Sequence, residues 1–598
     1  MSNDFSTFLV SDSRISQITD KQKVEVSSGP SSSVYQQFQA ISANNSSIIF
    51  NIAVPSESIV VDRNILMQSK VNLKIQIPGT GVIKGDIPFL YGLSNAFGPY
   101  PINQLINSAS CSINNSSISS NVQDIISPLL RLNDSRELYR YNSVAPSMPD
   151  FSFLNYKDGI EANNNPLAGY QNFGYDLDLA PRGAFPFDTL KIVQSYNDGT
   201  TDQVLTYAND GSSVVTTSSL NPLQAQAAGA SFMVYISATF TEPLCALSPF
   251  LFSDLNWNNK AGFLGLNGLN LTLNIDNLCK RVFRNSCQNE AIVYNVSLGT
   301  EADESKGFEN TKLLLNFLSI PPTSLVPTKN VLPMTNYVRY LSTDGQVSVI
   351  TTTDPTKTIS SPNYQLSQLP KKFIIVVRKP MQKQTSKDSD SFFTINSIAI
   401  NMSNNSGVLS NCSAQELWRM SIRNGSTQSW SEFSGRATKS TMETFQPSTG
   451  SVVAAYTSNI IKTTGSILVI DPAYDLSLGN SEITNNSIGQ YSMQFSISIT
   501  NNYSEDVAPE IMLICCNSGL LSTQLGTSSL QTGLLTKEMV LNTLSKSKSY
   551  ESAGMSHALE GAGLDQSMSM SGGFAGTSMA MSGGSLKPKK SGNLKRYF

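Results

Sequence analysis

Short runs in which hydrophobic and polar residues alternate recur along most of the chain. Residues 47–54, 71–77 and 269–275 place an apolar side chain at nearly every second position, and turn-forming Gly, Pro, Asn or Ser residues flank each run. A period of two places these side chains on one face of a strand, so the pattern predicts antiparallel sheets with one buried face. The remaining runs predict strands at residues 109–114, 232–240, 313–318, 373–377, 393–400, 466–470, 491–499 and 511–516.

Helical patterns are sparse in this sequence. Residues 121–132 place Val122, Ile125, Ile126 and Leu129 at i, i+3, i+4 and i+7, which predicts one amphipathic helix with Asn121 as its N-cap. Pro128 lies inside this run and should shorten or kink the helix. Residues 536–544 form a second, short helix candidate.

The strand runs fall into two blocks, which we interpret as two consecutive jelly-roll β-sandwiches, residues 46–280 and 311–550, in an all-β protein. Residues 281–310 are charged and polar and are interpreted as a connector. Residues 1–45 are rich in Ser, Asn and Gln, and we expect an N-terminal arm that is weakly ordered until it finds a partner. Residues 551–598 are rich in Gly, Ser and Met and are expected to be disordered. Both blocks exceed a minimal eight-stranded roll, so long loops are expected to carry contacts.

Composition supports large cores and an uncharged surface. A chain of 598 residues is too long for a single core, and 40% of it is hydrophobic. Only 14% of the residues are charged, below the roughly 25% of ordinary soluble domains. The formal net charge of -3 does not favour a broad nucleic-acid-binding face. Neutral surfaces of this kind are compatible with packing against further copies of the chain.

The cysteines do not form a recognisable framework. They are odd in number, and no CxxC pair occurs, so neither a zinc ribbon nor a disulfide scaffold is supported. The pattern indicates free thiols in a reducing compartment. The N-terminus does not resemble a signal peptide, and no apolar run is long enough to predict a transmembrane helix. The seven cysteines are Cys111, Cys245, Cys279, Cys287, Cys412, Cys515 and Cys516.

Catalytic and cofactor motifs are not recognised in the sequence. His557 is the only histidine and lies in the tail, which argues against Ser-His-Asp, Cys-His and histidine-rich metal sites. No phosphate-binding GxxxxGK[ST] motif occurs, and the glycines of residues 262–268 do not have dinucleotide-binding spacing. We therefore predict no catalytic residues, no cofactor and no metal.

Carboxylate chemistry of the glycosidase type needs only Asp and Glu. Asp176 with Asp178, and the cluster Glu301, Asp303 and Glu304, are nevertheless interpreted as acidic loop residues. The three tryptophans could line a sugar cleft, but core or interface anchoring is the favoured interpretation for so few. They are Trp257, Trp418 and Trp430.

Several segments together resemble the double jelly-roll major capsid proteins of virophages and polinton-like viruses. Residues 97–114 contain an aromatic-Pro-Ile run that leads into a strand ending in an Ile-Asn turn, and the helix at 121–132 follows. Residues 424–435 resemble a loop of the second roll. The order of the motifs over residues 97–550 is more specific than any single motif. The other segments similar to the family are residues 159–167, 181–183, 247–252, 537–541 and 549–550.

The resemblance implies a homotrimer whose six jelly rolls form a pseudo-hexagonal capsomer in an icosahedral shell. It implies penton and minor capsid proteins as partners, a place in the virion, and assembly in the host cytoplasm or nucleus. It implies no catalytic residues.

The tail contains strings similar to sites of adenovirus-type maturation proteases. Residues 570–574 and 581–585 repeat an apolar-X-Gly-Gly-X pattern, and residues 559–563 read apolar-X-Gly-X-Gly. An extended chain with small residues can enter a narrow cleft while the apolar residue fills a pocket. Chance occurrence in a Gly-rich tail remains the alternative. The candidate cleavage junctions are Ala562–Gly563, Gly573–Phe574 and Gly584–Ser585.

The end of the chain is basic and has no acidic residue after position 586. Its positive charges could provide a weak contact with genome phosphates or with a scaffold partner. The basic residues are Lys587, Lys589, Lys590, Lys595 and Arg596. Two functions from other classes stay open at this point: an extracellular lectin-like or adhesin β-sandwich, and a polysaccharide-degrading β protein.

Overall fold

In the computed structural model, the described residues belong to the compact unit 1–537, and the second unit, 538–598, lies outside them. The described residues are 7–11, 24–28, 32–78, 95–134, 138, 141, 144–147, 149, 188–197, 202–209, 231–244, 262–276, 279–285, 293–319, 330–342, 348–386, 388, 391–402, 405–442, 456–476, 488–503 and 505–532.

The first block is made mostly of strands. They are β1 (Thr7–Ser11), β2 (Val24–Ser28), β3 (Ser32–Gln39), β4 (Ser42–Ala43), β5 (Ser47–Ala53), β6 (Ile59–Val61), β7 (Leu66–Pro78), β8 (Asn95–Phe97), β9 (Ile106–Ile113), β10 (Ser116–Ser120), β11 (Thr189–Asn197), β12 (Asp202–Asn209), β13 (Ser231–Pro243), β14 (Gly268–Ile275), β15 (Phe283–Asn285), β16 (Asn295–Leu298) and β17 (Phe308–Ser319). Its described helices are α1 (Pro101–Leu105) and α2 (Val122–Leu130).

The second block has the same character. Its strands are β18 (Asn330–Leu341), β19 (Thr356–Ser360), β20 (Tyr364–Gln368), β21 (Lys372–Arg378), β22 (Thr394–Met402), β23 (Asn405–Val408), β24 (Arg436–Met442), β25 (Tyr456–Lys462), β26 (Leu468–Ile470), β27 (Ile488–Thr500), β28 (Glu510–Gln524) and β29 (Thr527–Thr532). Its helices are α3 (Ala414–Arg423), α4 (Trp430–Phe433) and α5 (Pro472–Asp475), with a 3₁₀ turn at Met381–Lys383.

Each block contains two antiparallel sheets. In the first block, sheet I has the strand order β10-β9-β14-β5-β4, and sheet II has the order β12-β11-β13-β7-β17-β3. In the second block, sheet III has the order β18-β28-β21-β26, and sheet IV has the order β19-β27-β22-β23. Four further strands extend these sheets: β6 pairs with β17, β16 with β7, β20 with β27, and β29 with β28.

The two blocks share one connectivity. In sheets I and III, a strand near the start of the block pairs with a strand near its end, as β5-β14-β9 and β18-β28-β21. In sheets II and IV, an early strand of the block pairs with the strand that precedes β14 or β28 along the chain, as in β7-β13-β11 and β20-β27-β22. The chain therefore crosses repeatedly between two facing sheets, and early strands of each block pair with late ones, which is the arrangement of a jelly roll. The predicted double jelly roll is confirmed.

The alternating sequence pattern corresponds directly to burial. In β14, Leu269, Leu271 and Leu273 point into the core, while Asn270 and Asn274 are exposed. Every strand predicted from the hydrophobic pattern is present, with bounds shifted by up to eight residues, the largest shift being at the end of β28. The predicted helix is also present as α2. The Asn121 side chain makes no capping bond, and the helix ends two residues after Pro128.

Sequence reasoning missed α3 and interpreted the segment that holds α4 as a loop. Both helices begin with a capping box, Ser413 with Glu416 and Ser429 with Glu432, in which each side chain bonds the other residue's backbone N–H. The Ser-X-X-Glu spacing was the available signal.

Two predicted boundaries differ from the strand pairing. The second block was predicted to begin at residue 311, but β17 pairs with β7, and Leu313, Leu315 and Phe317 enter the first core. Alternation identifies a strand but not the sheet that it joins. The predicted arm, residues 1–45, contributes β3 to sheet II and β4 to sheet I.

Several predictions lie outside the described residues. They are the helix at 536–544, the tail at 551–598, and the family-like segments at 159–167, 181–183, 247–252, 537–541 and 549–550.

Candidate functional site: the junction between the two jelly rolls

Sheet III is buried on both faces. Along β21, Phe373, Ile375 and Val377 pack in the core of the second roll, while Ile374 and Val376 pack in the core of the first. This explains why residues 373–377 are continuously apolar, since a strand buried on both sides needs no polar face. Sheet III is therefore the wall that the two rolls share.

The face of sheet III that meets the first roll is apolar across three strands. Val376 lies opposite Met512, and Ile374 lies between Ile514 and Val469 in register. These side chains are fully buried. A fully buried large apolar side chain stabilises by about 1.5–3 kcal/mol, so this face joins the two rolls strongly.

Helix α2 carries a charged link across the junction. Asp124 lies in its first turn, packed among buried residues. One oxygen of its carboxylate pairs with Arg378 of β21, and the other lies 2.6 Å from Nη1 of Arg339 in β18. Arg378 Nε also donates to Glu510 of β28 at 3.0 Å. One helix of the first roll is thus tied to three strands of the second.

The Arg378 guanidinium is almost completely buried, at 2% exposure. Burial lowers its pKa, but the Asp124 and Glu510 carboxylates and their hydrogen bonds outweigh burial and raise it. Arginine is suited to this position because its planar group stays charged and can serve two carboxylates at once.

A second contact follows the C-terminal end of α2. Thr427, between α3 and α4, donates hydrogen bonds from its backbone N and its Oγ1 to the carbonyl of Arg131, both at 2.8 Å. The Arg131 guanidinium lies over the ring of Phe392 at 6.0 Å from its centroid. Both contacts join the two rolls away from the Asp124 ion pairs.

A third contact lies where the β9–β10 turn meets β29. Ser116 N donates to Ser528 Oγ at 3.1 Å, and Ser528 N donates to Asn115 Oδ1 at 2.7 Å. Ser528 Oγ also bonds the carbonyl of Ile113. These bonds satisfy backbone groups that the turn would otherwise leave unpaired.

The β26 edge of sheet III is closed by side chains from α3 and the segment after it. Val469 N donates to Ser421 Oγ at 3.1 Å, and Asn424 Nδ2 donates to the Val469 carbonyl at 3.0 Å. Gln428 accepts from Ile467 N and donates to the Gly465 carbonyl, at 3.0 and 2.9 Å. A capped edge cannot pair with a strand of another molecule. Sequence reasoning did not identify these residues.

The acidic cluster predicted to be a loop is a surface turn. Asp303 Oδ1 accepts from Ser305 N at 2.9 Å and from Ser305 Oγ, and these bonds lower the pKa of its carboxyl group. Glu304 pairs with Lys74. Among the described residues, no group of three or more His, Cys, Asp or Glu is placed to hold a metal. Asp176 and Asp178 lie outside the described residues.

The described tryptophans pack against other aromatic rings. The rings of Trp418 and Trp430 meet edge to face at 5.8 Å between centroids, and Trp430 also stacks on Phe433. Trp418 Nε1 donates to the Gln428 carbonyl, which attaches this cluster to the segment that caps β26. Their anchoring role is supported, while Trp257 lies outside the described residues.

The described cysteines are free thiols, as predicted. Cys515 lies in the second core, and its neighbour Cys516 lies on the junction face of sheet III. The predicted cleavage junctions and the basic residues 587–596 lie outside the described residues. No helix in the described ranges is long and apolar enough to cross a membrane.

Family comparison matches both halves of the chain. A model of the Sputnik virophage major capsid protein first domain matches residues 3–318, and a model of the major capsid protein V20 C-terminal domain matches residues 337–519. A putative capsid protein V20 of Sputnik virophage is 23% identical over 85% of this chain and 76% of its own length.

Solved structures share the fold at low identity. The Sputnik virophage structure determined by cryo-EM superposes with a TM-score of 0.66, at 22% identity, over 91% of this chain and 97% of the other. The crystal structure of the mavirus major capsid protein gives a TM-score of 0.56, at 14% identity, over 90% and 98%. The family match after residue 318 resumes at 337, close to the start of β18 at Asn330.

Proposed function

Because the chain belongs to the Sputnik virophage major capsid protein family, and so is a viral major capsid protein, we propose that it assembles as homotrimers that tile an icosahedral shell. The observation that carries this proposal is the junction: two jelly rolls of one connectivity share the double-faced sheet III. Three such copies supply six similar rolls, enough for a capsomer of pseudo-hexagonal outline.

The proposed role is structural rather than enzymatic. Its partners are further copies of the chain in the trimer and in neighbouring capsomers, together with penton and minor capsid proteins. We propose that it becomes part of the virion after assembly in the host cytoplasm or nucleus. Family membership favours this role over the lectin-like or adhesin alternative.

The mass and outline of the purified full-length protein test the trimer. We expect light scattering to give three times the monomer mass and negative-stain electron microscopy to show hexagonal outlines. A stable monomer over the micromolar range, with no shell-like particles, contradicts the proposal.

We also propose that a viral maturation protease cleaves the tail after Ala562, Gly573 or Gly584. The apolar-X-Gly-Gly-X strings support this, because they combine a pocket-filling residue with small residues that fit a narrow cleft. Intact-mass analysis of protein from mature particles should show a C-terminus at one of these positions. A chain that still ends at Phe598 rules the cleavage out.

Before cleavage, the basic residues between Lys587 and Arg596 are proposed to give a weak, salt-dependent contact with nucleic acid. The full chain should bind a DNA duplex at low salt more tightly than a variant with all five basic residues changed to Gln. Equal binding of the two proteins would remove this role from the tail.

A further inference from the structure

We propose that strand β3 pairs with β3 of another copy of this chain, in an antiparallel arrangement that joins neighbouring capsomers across a two-fold axis. The inference rests on the proposed self-assembly and names one contact between the trimers. It follows from the open edge that β3 gives to sheet II and from the self-complementary sequence of this strand.

Strand β3 forms one edge of sheet II, and among the described strands it pairs with β17 alone. Gln39 lies opposite Lys312 in the register, and Ala40 N donates to the carbonyl of Thr311 at 2.9 Å. Hydrogen-bonded and non-hydrogen-bonded pairs alternate along an antiparallel ladder, so the even-numbered residues of β3 bond to β17. The backbone N–H and C=O groups of the odd-numbered residues point away from β17, and within the described ranges none of them has a partner. These residues are Ser33, Tyr35, Gln37 and Gln39.

The sequence of β3 lacks the features that protect sheet edges from pairing. It contains neither a charged residue nor a proline, and its register with β17 shows no bulge. Protected edges are short, bulged, covered, or carry charges or proline. Other edges of this chain are protected in these ways: β18 carries Pro333 and Arg339, β19 carries Lys357, and the β26 edge is capped by side chains. The contrast indicates that the edge of β3 is kept open for a partner strand.

The side chains of β3 also favour a partner. Tyr35 is 79% exposed and Val34 is 48% exposed, while Phe38 packs edge to face on Phe317 at 6.0 Å between ring centroids. A strand added beside β3 would remove part of the Tyr35 and Val34 surfaces from water without burying a charge of β3.

The strand is complementary to itself when Gln36 lies on the two-fold axis. Tyr35 then lies opposite Gln37 of the second copy, and the outward groups of all four odd-numbered residues form pairs, with about eight hydrogen bonds in total. Val34 lies opposite Phe38 of the second copy, an aromatic and β-branched pair of the kind that stabilises sheets. A shifted register would leave some of the outward groups unpaired.

Symmetry places this contact between trimers. Antiparallel pairing of identical strands is an isologous contact and generates a two-fold axis. A homotrimer has a three-fold axis alone, so the pairing cannot be one of its internal contacts. Neighbouring hexagonal capsomers in a closed shell face each other across exact or approximate two-fold axes, and each trimer offers three β3 edges to them.

A cysteine on the two-fold axis tests the pairing directly. In Gln36→Cys, the two thiols would occupy a non-hydrogen-bonded pair, whose Cα atoms lie about 4.5 Å apart and can be bridged by a disulfide. We expect oxidation of assembled full-length protein to link two chains through position 36, as identified by peptide mass spectrometry. Sedimentation after dilution should then show trimers linked to other trimers.

The matched control is Ser32→Cys, at an exposed position of the same strand. In the proposed register the two copies of residue 32 lie roughly 26 Å apart, so they should not be linked. Equal linkage at the two positions, or assembled protein without linkage at position 36, overturns the pairing. Linkage through position 36 that leaves single trimers also overturns it, because the contact would then lie within a trimer.

Charges at the same position give an independent measurement. Gln36→Lys and Gln36→Glu each place like charges directly opposite each other, which destabilises paired strands. We expect the protein concentration at which trimers associate to rise on the order of tenfold in each variant, because each trimer makes three such contacts. Formation of the trimers themselves should be unchanged. An equimolar mixture of the two variants places Lys opposite Glu and should restore association, whereas a mixture no better than either variant contradicts the pairing.

Failure of this inference is distinguishable from failure of the proposed function. Wild-type trimers that stay separate, or that associate equally well with either charge at position 36, overturn the pairing while the trimer stands. A wild-type chain that remains a monomer overturns the proposed function instead. Hydrogen exchange identifies a different occupant of the edge: protection of the Tyr35 and Gln37 amides already in isolated trimers overturns the pairing, since a neighbour within the trimer would then cover β3.

Discussion

Asp124 in the first jelly roll forms an ion pair with Arg378 in the second, although 254 positions separate them in the chain. Arg339 completes the charge balance on the other carboxylate oxygen. The pair lies beside the apolar junction face of sheet III, so the fusion of the two rolls depends on both burial and a charge network.

Removing the carboxylate should destabilise the junction. In Asp124→Ala, the guanidinium of Arg378 stays buried and keeps only Glu510 of its two carboxylate partners. Loss of one partner from a buried ion pair costs about 3–5 kcal/mol. We therefore expect a lower midpoint of denaturant unfolding. Fluorescence and circular dichroism monitor the unfolding.

The matched control is Lys70→Gln on the outer face of sheet II. Lys70 and Glu309 are 30% and 35% exposed, and such a pair contributes about 1 kcal/mol or less. Equal effects of the two substitutions would show that Asp124 has no special role in the junction.

The side-chain cap on the β26 edge should also be measurable. Gln428→Leu removes the acceptor for Ile467 N and the donor to the Gly465 carbonyl. Each unsatisfied buried backbone group costs about 1–3 kcal/mol. We expect faster hydrogen exchange at Ile467 and a lower unfolding midpoint, while Gln76→Leu on an exposed strand position should change neither. Unaltered exchange at Ile467 would contradict the capping role.

Glu242 in β13 should make stability fall as pH rises. Burial raises the pKa of its carboxyl group to about 7. Hydrogen bonds that Ile102 N and the backbone and side-chain nitrogens of Asn103 donate to the carboxyl group lower this pKa, but burial has the larger effect. The folded chain therefore holds a proton that the unfolded chain releases near pH 4.5. The stabilisation of the folded chain by this proton is complete below pH 4.5. Between pH 4.5 and about pH 7 it falls by about 1.4 kcal/mol per pH unit.

Glu242→Gln isolates this effect because it removes the titrating group. The difference in unfolding free energy between wild type and variant should change between pH 5 and pH 8, in the direction of relatively greater wild-type stability at pH 5. A difference that stays constant over this range would show that Glu242 does not titrate there.

The buried thiols should be unreactive in the folded protein. Burial raises the pKa of Cys111 to about 12, and burial also raises that of Cys516 to about 12 against the lowering effect of Lys372 and Lys371. Since the thiolate is the reactive form, alkylation at pH 8 should spare both until the chain unfolds. Cys412 is partly exposed and should react before them. Peptide mass spectrometry after timed iodoacetamide treatment measures the order, and early labelling of Cys111 would contradict its burial.

Much of the fold could be predicted from local pattern. Two local patterns indicate which side chains become buried on folding: the alternation in β14, and the helical spacing in α2 of Val122, Ile125, Ile126 and Leu129. The capping boxes at Ser413 and Ser429 carried the same kind of local information about α3 and α4. Family motifs then identified the double jelly roll.

The junction could not be predicted in this way. Asp124, Arg378 and Glu510 are ordinary charged residues in sequence, and their pairing depends on which strands become neighbours. The position of β17 in sheet II was likewise invisible, because an alternating strand fits any half-buried sheet equally well.

By itself, the sequence determined the strands with a clear hydrophobic pattern, one helix, the duplicated β character and the family, because these depend on periodicity and on ordered local motifs. Only the tertiary structure decided that sheet III is a shared wall and that its β26 edge is capped by side chains. These properties arise from side chains far apart in the chain, and their contacts exist only after the strands have found their register.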